Sequence, residues 1–262
     1  MPASCVVVQL GQCGTQLGAR VLDRVAAEAA DDDRAYFFRE DERGRRTARA
    51  VLIDTEPRAV GAAVGGRRGG VEWRYGADSR VLADRNLRGA ANNWAKGFHQ
   101  PREAVARAAD AVRREVERCD RVDCVASFAA GSGGTGSGLG CALHEHLAAA
   151  LPKVRPLHCV ALPRKIGDVA VGALNACLTL DRLSADARHR RGAVVLLSNE
   201  LAARLAADVF KQPRPTLDAL NDVFATQLAG ALLPYRDAAG ARRGLGTTLA
   251  HVGCGRMRYA TA

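Results

Sequence analysis

Five short apolar runs, each followed by a helical pattern, constrain this chain more than any other feature. The runs are Cys5 to Leu10, Ala50 to Asp54, Val122 to Phe128, Leu157 to Leu162 and Ala193 to Ser198. Each is rich in Val, Ile, Leu or Ala and bounded by Gly, Pro or charge, the pattern of strands buried on both faces. Between them apolar residues recur at helical spacing over Gly14 to Ala30, Arg102 to Arg118, Ser137 to Ala150, Val169 to Asp186 and Leu201 to Phe210. Such alternation specifies an α/β fold, a parallel sheet with helices on both faces. Ligands of such folds bind at the carboxyl ends of the strands.

Composition excludes several classes. With 262 residues, 48% hydrophobic and 25% charged, the chain matches a globular protein that buries a core without disulfide staples. It has no run of 18 apolar residues and no basic-then-apolar leader, so neither a membrane helix nor a secretory signal is expected. The eight cysteines form no CxxC pair and show no zinc spacing, and reduced thiols in a cytosolic protein are expected. His144 and His146 stand two apart on an expected helix and face different ways, which suits surface or packing residues rather than ligands. The net charge of +10 is carried almost wholly by Arg. These residues are scattered, without a nucleic-acid module, so an Arg-, Ala- and Gly-rich composition explains them and nucleic acid is not an expected partner.

Three further stretches shape the organisation. Residues 31–47 are highly charged and are expected to form a surface insertion. Residues 61–70 are Gly- and Arg-rich and are expected to be mobile. Pro213 and Pro215 break the chain, Thr216 suits a helix cap, and apolar residues at 217, 220, 223, 224, 228, 231 and 232 predict a long helix from Leu217 to Leu233.

Ser132-Gly-Gly-Thr-Gly-Ser-Gly138 follows a strand and precedes a helix. Glycines let backbone N–H groups approach phosphate oxygens, and a helix N-terminus favours negative charge. Thr135 and Ser137 can add hydroxyl donors. No Lys ends the loop as a P-loop requires, and the first strand-to-helix turn reads Gly11-Gln-Cys-Gly-Thr-Gln16, not G-x-G-x-x-G. Taken alone, the loop fits a phosphate cradle or a plain tight turn.

Four stretches together are more specific. Gln9-Leu-Gly-Gln-Cys-Gly-Thr-Gln-Leu-Gly18, Asp54-Thr-Glu-Pro57, Gly89-Ala-Ala-Asn-Asn-Trp-Ala-Lys-Gly97 and Gly133-Gly-Thr-Gly-Ser-Gly138 resemble the first, second and third loops and the signature of tubulins, in that family's order and spacing. The chain is identified as a member of the tubulin superfamily. It looks most like the δ-type members in Val8 to Gly14, Ala48 to Pro57, Trp73-Arg-Tyr-Gly76, Arg114 to Asp120 and Gly138-Leu-Gly140. The resemblance implies a Rossmann-like tubulin/FtsZ GTPase domain over 1–212, a central core helix over 213–234, and the start of an intermediate domain, cut short, over 235–262.

It also implies a site for GTP and Mg²⁺. Gln12, Cys13 and Gln16 would line the phosphate and base side. Asp54 and Glu56 would face the phosphates through Mg²⁺ or water, with Glu56 as the metal residue. Ala91 and Asn92 would touch the γ-phosphate region, Gly133, Gly134, Thr135 and Gly136 would cradle the α- and β-phosphates, and Asp168 would lie by the ribose. Asn199 and Asn221 would bond the guanine edge, and Leu217 stands where the family commonly stacks an aromatic ring on the base. Plainer roles are also open: Asp54 capping the next turn, Cys13 packing, and Asn199 and Asn221 as helix caps. Trp94 suits a core or loop anchor.

Departures from the family pattern are equally informative. Leu217 covers the base without stacking, Ala130 lacks a family hydroxyl, Ser132 replaces a glycine, and Gly172 falls at the family's ribose-side acid. Weaker nucleotide binding or altered base selectivity is expected. In the family, acids of the next subunit activate water; the corresponding positions are Thr247 and Ala250, and no carboxylate follows Asp237. The expected protein is a δ-type tubulin, longer than this chain, acting in centriole or basal body and cilium assembly through nucleotide-dependent subunit contacts. Its place is the cytoplasm and cytoskeleton, its partners other tubulin subunits and centriolar or basal-body proteins, with no membrane. One alternative is a structural protein of the same fold that holds GTP without hydrolysing it. Another is a Rossmann-type oxidoreductase that uses NAD.

Overall fold

The computed structural model describes residues 3–58, 60–61, 72–83, 89–100, 102–164, 170–209, 211–252 and 259–261. Strands β1 (Ser4–Leu10), β4 (Ala50–Asp54), β6 (Arg80–Leu82), β7 (Val122–Ala130), β8 (Arg155–Leu162), β9 (Ala193–Ser198) and β12 (Tyr259–Thr261) form one sheet in the order β12-β9-β8-β7-β1-β4-β6. Every pairing in it is parallel. From β1 the order runs one way through β4 and the other through β7, so the topological switch point lies between β1 and β7.

Period-two alternation explains why these runs are strands. Along β1, Cys5 and Val7 enter one core while Val6, Val8 and Leu10 enter another; along β7, Cys124, Ala126 and Phe128 face the first and Val125 and Ala129 the second. Helix α1 (Gly11–Glu28) covers the first face with Leu17, Val21, Leu22 and Val25, backed by Leu220, Val223, Phe224 and Leu228 of the helix Leu217–Leu232. Helices α4 (Arg102–Glu117) and α5 (Gly140–Ala150) cover the second with Val105, Ala108, Val112, Leu143 and Leu147. Helix α6 (Gly172–His189) adds Leu183 and Ala187 to a smaller cluster with Val160 and Val194. Between these, α2 (Asp31–Arg34) and α3 (Trp94–Phe98) are short, α7 (Asn199–Asp208) follows β9, and the helix Leu217–Leu232 is α8. Thr216 caps α8, its hydroxyl accepting from the Ala219 amide at 3.3 Å.

The structure revises several expectations. Residues 31–47 are not a mere surface insertion: β2 (Phe38–Glu40) and β3 (Arg46–Ala48) pair antiparallel, β5 (Trp73–Arg74) joins β3, and Tyr36, Phe37, Phe38 and Trp73 are buried. Burying four aromatic rings outweighs the surrounding charge, which points outward in ion pairs such as Arg45–Asp41 and Arg46–Glu40. Helix α1 begins at Gly11, directly after β1, so the first turn is helix rather than loop. Of the surface and packing roles open to His144, the structure gives the second, in the core. The Gly- and Arg-rich residues 62–70 fall outside the described residues. Beyond α8, β10 (Tyr235–Arg236) pairs with β11 (Arg242–Arg243), α9 (Leu245–Val252) sets Leu245 and Leu249 into the first core, and β12 borders β9.

Leu22→Ala, at a fully buried position of α1, should lower unfolding free energy by about 2–5 kcal/mol in urea denaturation. Leu174→Ala, on the exposed side of α6, should change it by no more than about 0.5 kcal/mol.

Candidate functional site

A cleft of about 480 Å³ opens at the switch point, outside the carboxyl ends of β1, β4 and β7. Its floor is where the turn after β1 meets the glycine-rich loop after β7. Gly11 takes the left-handed backbone, φ +69°, and a Cβ there would stand 3.0 Å from the Gly136 amide. Gly134 is held against the 89–93 loop, where a Cβ would fall 2.6 Å from that of Ala90. Gly11 and Gly136 touch at backbone distance only because neither carries a side chain at the contact.

Two helix N-termini end in this cleft without a side-chain cap. Helix α1 starts after Leu10 with none, and the π-helical turn Thr135–Leu139 that leads into α5 starts after Gly134 with none. Their first amides are therefore free of side-chain acceptors and carry the positive end of each helix dipole. Gln12, Cys13 and Gln16 of α1 and Ser132, Gly133, Gly134, Thr135 and Gly136 of the loop line the space.

Asp54 and Glu56 bring acid to the same cleft. Asp54 is buried; its Oδ1 accepts from the amides of Thr55 at 2.6 Å and Glu56 at 3.1 Å, and its Oδ2 has no partner among the described residues. The carboxylate thus caps its own turn, as one sequence reading allows, and still presents a second oxygen. Burial pushes the Asp54 carboxyl up to about 6, only partly offset by those two amides. Burial likewise pushes the half-buried Cys13 thiol up to about 11, which suits a neutral packing residue. Among the described lining residues there is no Lys or Arg.

The far wall is a strained turn. Ala91 and Asn92 both take left-handed backbone, φ 49° and 52°, a conformation costly for a non-glycine residue. Asn175 of α6 holds it: its Nδ2 donates to the Asn92 and Ser132 carbonyls, each at 2.8 Å, and its Oδ1 accepts from the Trp94 amide at 3.3 Å. Thr55 and Thr135 join hydroxyls at 2.6 Å, tying the β4 turn to the loop. Sequence reasoning missed Asn175 and Thr55. The signal for Asn175 was present, an amide inside a helix where Asn is unfavourable. Ser137 corrects an expectation: it is fully buried and donates to the Gly133 carbonyl, so its hydroxyl braces the loop rather than facing a ligand.

Most of the expected site residues meet in this cleft: Gln12, Cys13, Gln16, Asp54, Glu56, Ala91, Asn92, Gly133, Gly134, Thr135, Gly136 and Leu217. Leu217 is 68% exposed at the rim. Arg20 binds Asp222 at 2.6 Å and approaches Asp218 at 3.5 Å, fastening α1 to α8 beside it. Asn199 and Asn221 do not line the cleft; Asn199 donates to the Leu162 carbonyl at 2.7 Å, and Asn221 is buried in α8. Asp168 lies outside the described residues. Trp94 is an anchor, buried and stacked on Phe98 at 4.5 Å between centroids.

Fold and cleft together define a Rossmann-like α/β domain with a glycine-rich loop at its switch point. The family model "Tubulin/FtsZ family, GTPase domain" matches residues 4–206, and the chain belongs to that family. It is 30% identical to the tubulin delta chain of Homo sapiens over 88% of this chain and 53% of that one. It is 31% identical to the tubulin gamma chain of Caenorhabditis elegans, over 88% and 54%. It is 32% identical to the tubulin beta chain of Porphyra purpurea, over 86% and 50%. The chain spans about half the length of these relatives. Among the described residues no helix is long and apolar enough to cross a membrane.

Two outcomes follow from this geometry. Asn175→Ala strands two carbonyls and an amide, and should cost about 1–3 kcal/mol in urea denaturation, with faster amide exchange at residues 92–94. Asp54, with its folded value raised, contributes stability that is present below about pH 4 and is lost as pH rises through about 6. Without nucleotide and with chelator present, Asp54→Asn should therefore melt above the parent at neutral pH, by about 1–3 kcal/mol, and match it near pH 4.

Proposed function

We propose that the cleft binds GTP together with Mg²⁺, and that the bound nucleotide sets the conformation of loops that contact other tubulin subunits. The observation that carries this reading is the meeting of two uncapped helix N-termini with two carboxylates and no described cationic side chain. Backbone amides suit phosphate oxygens. The carboxylates would repel those oxygens unless a cation stands between, and the partnerless Asp54 Oδ2 is a buried oxygen suited to a hard divalent ion. Mg²⁺, when bound, supplies charge neutralisation between acid and phosphate. Asp54 and Glu56 would hold it, directly or through water. Amides of α1 and of residues 133–136 would orient the phosphates, and the Ala91–Asn92 turn would meet the terminal one. Asp168, Asn199 and Asn221 keep their proposed ribose and base roles, which require the base to extend beyond the cleft toward β9 and α8.

The subtype reading is δ-type, supported by the motifs in Trp73–Gly76 and Arg114–Asp120. Centriole or basal-body and cilium assembly, with tubulin subunits and centriolar proteins as partners, follows from that reading. The proposed division remains 1–212, 213–234 and 235–262. The register of the resemblance, which sets Thr247 and Ala250 against the family's water-activating acids, favours nucleotide holding over turnover. In this reading the chain forms a nucleotide-dependent contact but is a poor activator of hydrolysis in its neighbour.

Calorimetry with Mg²⁺ tests the proposal. GTP should bind selectively over ATP and NAD, and chelation should abolish the affinity. Equal binding of all three, or preference for NAD, would overturn it, with a circular dichroism melt on the same sample confirming fold. Leu217→Phe should tighten GTP binding about 2- to 10-fold by adding ring stacking on the base.

A further inference from the structure

Away from the cleft, the second face of the sheet encloses a polar cluster made by three elements. His144 comes from α5, His158 from β8 and Asp186 from α6, and one ligand atom of each lies within 4.8 Å of the others. His144 is 1% exposed, and among the described residues neither of its ring nitrogens has a hydrogen-bond partner. A buried imidazole in an apolar core nearly always bonds at least one nitrogen, because leaving both bare forfeits its hydration for nothing. Its ring meets that of His158 edge-on, with centroids 4.4 Å apart.

His158 and Asp186 bond each other, and each is held by one further residue. His158 Nε2 faces Asp186 Oδ2 at 2.9 Å, and its Nδ1 faces the Ser127 hydroxyl at 2.9 Å. Arg190 holds the carboxylate through both oxygens, its Nε donating to Asp186 Oδ1 at 2.7 Å and its Nη2 to Oδ2. Ligating histidines and carboxylates are typically oriented in this way by a second bond. Burial lowers both histidines, His144 strongly, so both are neutral near pH 7, the form that coordinates metal. Burial alone would raise Asp186, but bonds from His158 and Arg190 outweigh it and hold the carboxyl ionised.

We propose that His144, His158 and Asp186 form a structural site for a transition-metal ion of the zinc class, pinning α5 and α6 to β8. Two imidazoles and one carboxylate are a borderline-soft donor set that suits Zn²⁺ better than Mg²⁺ or Ca²⁺. Ligand atoms on a tetrahedral zinc stand about 3.4 Å apart, so the widest gap closes by roughly an ångström or more through side-chain rotation. The proton on His158 Nε2 moves to Nδ1, which then donates to the Ser127 oxygen, and the freed Nε2 lone pair takes the metal. His158 stays neutral and no proton is released. Water completes the fourth position. Arg190 beside Asp186 moderates the affinity, since its charge opposes the incoming cation.

Cobalt(II) is the probe, added to the full chain after chelator treatment. The expected result is one equivalent per chain with intense d–d bands of four-coordinate cobalt and no thiolate charge-transfer band. Zn²⁺ should displace it and raise the melting temperature. His144→Leu, which replaces two bare nitrogens by apolar atoms, should fold without metal yet lose the bands and the zinc-dependent shift, while GTP binding is unchanged. Absence of a bound equivalent, the same bands in His144→Leu, or a thiolate band overturns the proposal. Should His144→Leu not fold, the parent decides alone: paramagnetically shifted N–H protons from two imidazoles support the site, and none refutes it.

Discussion

The cleft depends on one close approach, that of the turn after β1 to the loop after β7. A 3.0 Å limit between a Cβ at Gly11 and the Gly136 amide leaves no room for side chains between the two segments. Because β1 and β7 are neighbours and parallel, their following helices start at the same edge. That single juxtaposition turns two ordinary helix starts into one concave surface of amides. Without it the dipoles of α1 and of the 135–139 turn would act on separate patches of solvent, each worth little at a screened surface.

The remaining contacts hold this surface in shape rather than supply its chemistry. Asn175 fixes the strained Ala91–Asn92 turn against Ser132, Thr55 fastens the β4 turn to Thr135, and Ser137 braces the loop from within. Arg20 joins α1 to α8 on the opposite side. Preorganisation of this kind matters because amides must already point at the ligand if binding is not to lose energy to reordering. Asp54 adds an unsatisfied acceptor to the unsatisfied amides of the two helix starts. Its unpartnered oxygen and raised carboxyl are a local cost, of the kind folds retain where a ligand is to be met.

Much of this was legible in the residues. Short continuous apolar runs bounded by Gly, Pro or charge made β1, β4, β7, β8 and β9 readable as strands, and glycine spacing marked the loop, because both signals are local. What escaped depends on distant contacts. Residues 31–47 looked like a charged insertion because their aromatic rings are outnumbered by charges, yet Phe38 packs on Trp73 across the small sheet. The short strand Arg80–Leu82 is too brief to show alternation and exists only by pairing with β4. His144 was readable as a packing residue, but not its meeting with His158 and Asp186, which lie on separate elements. The same limit applies to Asn199 and Asn221: the resemblance implied a base contact, and three-dimensional placement leaves them out of the described cleft lining.

The central claim is that the backbone amides after β1 and β7 hold the phosphates as one unit, with a divalent cation screening Asp54 and Glu56. Hydrogen–deuterium exchange of the chain with and without GTP and Mg²⁺ tests it most directly. The account predicts joint protection of residues 10–16, 54–56, 90–93 and 132–138 only when nucleotide and Mg²⁺ are both present. Protection of one segment without the others, or equal protection with chelator, would contradict it.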